Sequence, residues 1–129
     1  MENCIFCKIA KKEIPAHVIW ENAEFMAFLD LYPPVPGATV VIPKEHHDSY
    51  IKSASPEITA SLMKAVKQVM DLLDTKLKGN LRTKLILEGM EVPHLHAKLW
   101  PMYKGVREEI PDEPASQEDL SKMAEKIRS

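Results

Sequence analysis

The sequence predicts an α+β fold built on an antiparallel sheet, and three observations carry that prediction. Short β-rich stretches follow one another in the order strand, strand, strand, helix, strand, strand, which makes hairpins rather than repeated strand–helix–strand units. One long stretch, residues 56–78, has the apolar spacing of a helix. The chain of 129 residues is long enough for one domain with a real core.

The elements follow in order. Residues 17–21 (HVIWE) and 25–30 (FMAFLD) are rich in β-branched, aromatic and apolar residues, and the polar NAE between them makes a hairpin. Residues 31–37 (LYPPVPG) hold three prolines and a glycine, a stiff connection that cannot be regular structure. Residues 38–43 (ATVVIP) read as a third strand. Ser55 followed by Pro56 is an N-cap and first-turn signal, after which Ile58, Leu62, Val66, Val69, Leu73 and Leu77 recur at helical spacing up to Gly79. That helix is about 35 Å long at 1.5 Å per residue. Residues 83–88 (TKLILE) and 94–100 (HLHAKLW) follow as strands joined by GMEVP. The acidic, proline-bearing REEIPDEPAS (107–116) reads as a linker before an amphipathic helix over 117–128, whose apolar stripe needs a surface to pack on, such as a second subunit. The expected organisation is a domain over 1–106 and a C-terminal linker and short helix over 107–129.

Composition excludes several function classes. Hydrophobic residues at 45% and charged residues at 28% are those of a soluble globular protein. A net charge of −2 and a pI near 6.2 supply no global basic field, which argues against binding DNA or RNA polymers, so an anionic ligand must be held by a local site. The first fifteen residues carry charge throughout and no long apolar run, so neither signal peptide nor membrane span is expected and the predicted location is the cytoplasm. The two cysteines, Cys4 and Cys7, are spaced Cys-x-x-Cys. A reducing compartment argues against a structural disulfide, leaving a metal site, redox chemistry or two inert thiols. A thioredoxin-like redox pair needs a strand–helix–strand unit, and none follows.

The stretch PHLHAKLW (93–100) carries the chemistry. Side chains alternate along a strand, so His94, His96, Lys98 and Trp100 share one face while Leu95, Ala97 and Leu99 share the other. The apolar set is expected to meet the core and its covering helix, leaving the histidines and the lysine on an accessible face. Two imidazoles and an ammonium in a row suit phosphate binding, metal binding or nucleophilic attack. The bland alternative is the polar outer face of an edge strand.

Three segments in order, CIFCKIAKKEIPA (4–16), AFLDLYPPVPGATVVIPKEH (27–46) and HLHAKLWP (94–101), resemble the histidine triad (HIT) family of nucleotide hydrolases and transferases. The resemblance spans about residues 4–103. It implies a five-stranded antiparallel sheet with one long helix in each subunit, a two-fold homodimer joining two sheets, and attack on the α-phosphorus of a nucleotide by a histidine. His96 matches the nucleophile, which would form a nucleotidyl-histidine intermediate. Asp30 matches the carboxylate that accepts ribose hydroxyls, although an aspartate at a hairpin end also suits a turn. Phe6, Ile14, Phe28 and Leu31, with Ile5 and Ile9, match the apolar wall around a base, where ordinary core is the competing reading. Cys4, Cys7, His46 and His94 match the positions that hold a structural zinc in many members, a Cys₂His₂ set suited to tetrahedral coordination. His47 is the neighbouring candidate ligand, and His17 has no expected role.

The departures matter too. Lys98 stands where the third histidine of the signature falls; it can neutralise a phosphate but shuttles protons poorly near neutral pH. GMEV (89–92) stands in place of a Gly-Gln-Ser-Val run, so Met90 and Glu91 lack its hydroxyl and amide donors, and LEG (87–89) stands where Asn-Glu-Gly is frequent. Glu91 would act there as a base or repel phosphate. Two functions follow: a nucleotide hydrolase or nucleotidyltransferase working through His96 and Lys98, or a zinc-stabilised nucleotide-binding or scaffold protein with little turnover.

Overall fold

The computed structural model describes residues 3–129. Its elements are α1 (Ile5–Ala10), β1 (Val18–Glu21), β2 (Phe25–Leu29), β3 (Thr39–Pro43), α2 (Pro56–Lys76), β4 (Asn80–Ile86), β5 (Ala97–Tyr103) and α3 (Gln117–Arg128). The strands form one sheet in the order β1-β2-β3-β5-β4, and its pairings are antiparallel. Among the described residues no helix is long and apolar enough to cross a membrane.

Local chemistry builds each junction. The Asn22 side chain accepts the N–H groups of Glu24 and Phe25 at 2.9 and 2.7 Å, closing the β1–β2 hairpin as an Asx turn. The Ser55 hydroxyl accepts the Ile58 N–H at 3.1 Å and Pro56 occupies the first turn, so α2 starts where the sequence places it. It ends at Lys76, two residues before the expected 78.

Both faces of the sheet are covered. On one, Phe25, Ala27, Leu29, Val41, Leu95, Ala97 and Leu99 pack against Leu62, Val66, Val69 and Leu73 of α2. On the other, Met26, Phe28, Val40 and Ile42 pack against Phe6, Cys7 and Ile9 of α1. Burial on both sides explains why β2 and β3 read as unbroken apolar runs rather than alternating ones. The cover provided by α1 was not expected from the sequence, because six residues are too few to display helical periodicity.

Three strands fall within one residue of their expected ranges, and two shift further. β4 runs over Asn80–Ile86 instead of 83–88, and β5 over Ala97–Tyr103 instead of 94–100. Upstream of Ala97 the backbone pairs with a loop instead of a strand: Leu95 N–H donates to the His47 carbonyl at 2.8 Å. Pro101 is tolerated inside β5 because β3 pairs with that strand only over Ala97–Leu99.

The C-terminal helix packs on its own subunit. Leu120, Ala124 and Ile127 of α3 are buried in the same core as α2, with contacts to α2 and β1. The segment before it crosses the proline-rich loop, with Glu109 N–H on the Pro34 carbonyl at 3.2 Å and Ala115 N–H on the Leu31 carbonyl at 2.8 Å.

Candidate active site

The His94, His96 and Lys98 side chains do share a face, as alternation requires, but it is not open to solvent. His94 is 0% exposed and His96 3%, against the expectation of an accessible row. The reason is α1. Its Phe6 ring meets His96 edge-on at 5.1 Å and His94 at 5.9 Å, and meets Phe28 of β2 at 5.6 Å. Lys98 keeps its side chain 21% exposed at the mouth.

A cleft of about 280 Å³ opens beside this row. Ile5, Phe6, Ile9 and Ile14 line one side, Phe28, Asp30 and Leu31 another, and His96, Lys98 and Glu91 the polar end. Every residue matched to nucleotide binding or catalysis therefore meets in one space. A larger opening of about 340 Å³ lies between the proline-rich loop and α3, away from both histidines. It shares Leu29 and Asp30 with the cleft but is lined by neither histidine nor lysine.

Hydrogen bonds set the state of the histidines. The His96 Nδ1–H donates to the His94 carbonyl at 2.7 Å, which assigns the lone pair to Nε2. Burial pushes the His96 pKa below its ordinary value, and the nearby Lys98 ammonium adds to the shift, so the ring is neutral near pH 7. Burial likewise raises the pKa of the Asp30 carboxyl, opposed by the hydrogen bond that its Oδ1 accepts from the Tyr32 N–H at 2.9 Å. The turn expected of Asp30 is thus present, and the same carboxylate lines the cleft.

Glu88 was not singled out in the sequence. Its Oε1 accepts a charge-assisted bond from Lys98 Nζ at 2.9 Å, and its Oε2 accepts the Met90 N–H at 3.2 Å. The Lys98 ammonium holds the Glu88 carboxyl below the usual carboxylate range. The loop carrying Glu88 is fixed by Gly89, whose φ of +61° suits glycine; a Cβ there would lie 2.5 Å from the Ser49 carbonyl oxygen. Ser49 in turn donates its hydroxyl to the Gly89 carbonyl at 2.9 Å.

Beneath the cleft, Cys4, Cys7, His46 and His94 form one cluster whose donor atoms lie within 4.8 Å of one another. Cys4 Sγ is 3.3 Å and Cys7 Sγ 3.5 Å from His94 Nδ1, and Cys7 Sγ is 3.2 Å from His46 Nδ1. A tetrahedral zinc with ordinary Zn–S and Zn–N bonds separates sulfur and nitrogen ligands by about 3.5 Å, so the donor set fits that ion. The orientation fits as well: His94 Nε2–H donates to the Pro43 carbonyl at 2.8 Å, leaving Nδ1 to face the sulfurs. His47 is not part of this cluster, and its backbone carbonyl is what holds Leu95. His17 bonds Gln117 of α3 through Nε2 at 2.8 Å and is not among the residues lining the cleft.

Comparison with known proteins decides the family. The HIT domain pattern matches residues 11–105, most of the chain. The chain belongs to the HIT family. An adenosine 5'-monophosphoramidase of Schizosaccharomyces pombe is 32% identical to this HIT protein over 130 residues, covering 98% of this chain and 97% of the relative. A hypothetical histidine triad nucleotide-binding protein of Sulfolobus tokodaii strain 7 superposes with a TM-score of 0.84 at 29% identity, over 97% of this chain and 89% of that one. A zinc-bound histidine triad family protein of Mycobacterium smegmatis has a TM-score of 0.83 at 21% identity, over 98% and 91% of the two chains, a likeness of fold alone. The five-stranded sheet and its long helix are thus those of a HIT-fold protein.

Proposed function

We propose that this chain is a nucleotide hydrolase or nucleotidyltransferase that acts on the α-phosphate of a nucleoside polyphosphate or phosphoramidate. The observation that carries the reading is the His96 Nε2 lone pair, neutral and held in a fixed tautomer, in the lining of a cleft that also contains Asp30 and Lys98. The base, a purine in this reading, lies between Ile5, Phe6, Ile9, Ile14 and Phe28, with Leu31 at the rim; the ribose hydroxyls bond the Asp30 carboxylate. His96 Nε2 attacks the α-phosphorus, the bond from phosphorus to the leaving group breaks, and a nucleotidyl-histidine remains. Lys98 offsets the charge that develops on the non-bridging oxygens. Water or another acceptor then attacks the same phosphorus and frees His96.

Cys4, Cys7, His46 and His94 would hold a structural zinc. Bound there, the ion would supply a rigid four-way link between α1, the loop after β3 and the segment entering β5. Two cysteines committed to such a site suit a reducing compartment, the cytoplasm in this reading. The homodimer belongs to the proposal too: β4 is a seven-residue edge strand with Leu81 70% exposed, and an isologous partner strand would cover it.

The experiment is a panel of adenosine and guanosine phosphoramidates, nucleotide sugars and dinucleoside polyphosphates, incubated with the protein and read by mass spectrometry. A nucleotidyl adduct that maps to His96 and vanishes in His96→Ala is expected. Binding without adduct or turnover across the panel would leave the nucleotide-binding scaffold reading instead.

A further inference from the structure

Lys98 is the charged group through which this cleft would meet a phosphate, yet its ammonium is already engaged. Among the described residues lining the cleft, Lys98 alone carries a fixed positive charge, while Asp30 and Glu91 line it with carboxylates. Glu88 holds Lys98 Nζ at 2.9 Å from just behind. The pair cannot part freely, because Met90 N–H fixes the second Glu88 oxygen and the Gly89–Ser49 contact fixes the loop. Asp30 and His96 each feel both Lys98 and Glu91, which places all of these groups in one electrostatic neighbourhood.

We propose that Glu88 is a specificity-determining residue of this site: by occupying Lys98 it makes the cleft favour a nucleoside whose α-phosphate is its last charged group and disfavour polyphosphate chains. This rests on the nucleotide reading above and narrows its substrate class. An ammonium has three donors, so one phosphate oxygen can share Lys98 with Glu88. Further phosphates bring more negative charge within a Debye length of Glu88 and Glu91, and the described residues lining the cleft offer no second cation to receive it. Like-charge contacts of that kind act through rejection of the wrong ligand.

The test is calorimetric titration of AMP, ADP and ATP into the wild type, Glu88→Gln and Glu91→Gln. The wild type should bind AMP in preference to ATP. Glu88→Gln keeps the side-chain size and the acceptor for Met90, and should raise ATP affinity relative to AMP by on the order of tenfold; Glu91→Gln should move the ratio the same way. An unmoved ratio in Glu88→Gln, or a wild type that prefers ATP, overturns this inference alone. Failure of all three nucleotides to bind the wild type overturns both it and the nucleotide reading. A second measurement is independent of the variants' folding: the wild-type ATP-to-AMP affinity ratio should rise with ionic strength as carboxylate repulsion is screened, whereas a cation-dominated site would show it fall.

Discussion

The carbonyl of His94 accepts the Nδ1–H of His96 at 2.7 Å, while the ring of the same His94 faces the Cys4 and Cys7 sulfurs at 3.3 and 3.5 Å. One residue thus joins the cysteine–histidine cluster to the proposed nucleophile. A disturbance of the cluster reaches His96 through a single peptide unit, and reaches the cleft wall through Phe6, which sits between the two cysteines in sequence.

The first prediction concerns that cluster. Protein purified without chelator is expected to contain one zinc per chain by metal analysis. Stripping the metal, or Cys4→Ser, should lower the thermal midpoint by more than about 10 °C, because binding energy at a closed site is also folding energy. A metal content well below one per chain would refute the site.

His96→Ala should lower turnover by at least about 10³-fold, as loss of a nucleophile does, while nucleotide affinity stays within a few-fold. In the proposed reading the base and ribose are held by α1, Ile14, β2 and the loop after it, of which the substitution removes only the edge-on neighbour of Phe6. Equal rates for wild type and variant would end the enzyme reading.

Lys98→Ala should weaken both affinity and rate, by roughly tenfold each, since one ammonium serves the bound phosphate and the transition state. Lys98→His is expected to keep or raise activity, because imidazole can pass a proton to the leaving group near neutral pH. Steady-state kinetics on both variants checks the contrast; a dead Lys98→His together with an active Lys98→Ala would contradict it.

Asp30 predicts a trade between function and stability. Burial raises its pKa above the ordinary value, so the folded state binds the proton more tightly than the unfolded state. Its contribution is therefore best below the unfolded pKa and is lost as pH rises through the folded one. Asp30→Asn keeps an acceptor for Tyr32 N–H and should raise the thermal midpoint by roughly 2–6 °C at pH 7, with the gain fading near pH 3. The same variant should lose the preference for ribonucleotides over 2'-deoxyribonucleotides. A midpoint that is lower at pH 7 than in the wild type would contradict the sign.

Assembly is the last. Light scattering at micromolar concentration should give a dimer, and Leu81→Asp on the edge of β4 should shift it toward monomer. A wild-type monomer under those conditions would remove the dimer.

The parts legible in the sequence were those written in local chemistry. Ser55-Pro56 and the spacing through Leu73 placed α2 within two residues, and the predicted 117–128 helix matches Gln117–Arg128. What was hidden depends on contacts distant along the chain. The burial of His94 and His96 comes from a six-residue helix near the N-terminus, and the three-residue shift of β5 from the bond between Leu95 and His47. The Cys₂His₂ set joins three separate segments, so only resemblance could assemble it. Glu88 carried no signal because its role requires Gly89 to turn the loop and aim the carboxylate at a lysine ten positions on.

The link between Cys4 and His94 spans 90 positions, whereas the β2–β3 hairpin beneath it closes over a short loop. Closing so long a loop costs more chain entropy than closing the hairpins, and non-local contacts form late when local ones can form first. During synthesis the N-terminal segment leaves the ribosome long before its partner histidine exists. The sheet should therefore take shape with one face bare, and the apolar wall of the cleft should be the final piece to settle. Pulsed hydrogen exchange during refolding would show this as protection of β2 and β3 ahead of α1; simultaneous protection would mean that the wall and the sheet form as one unit.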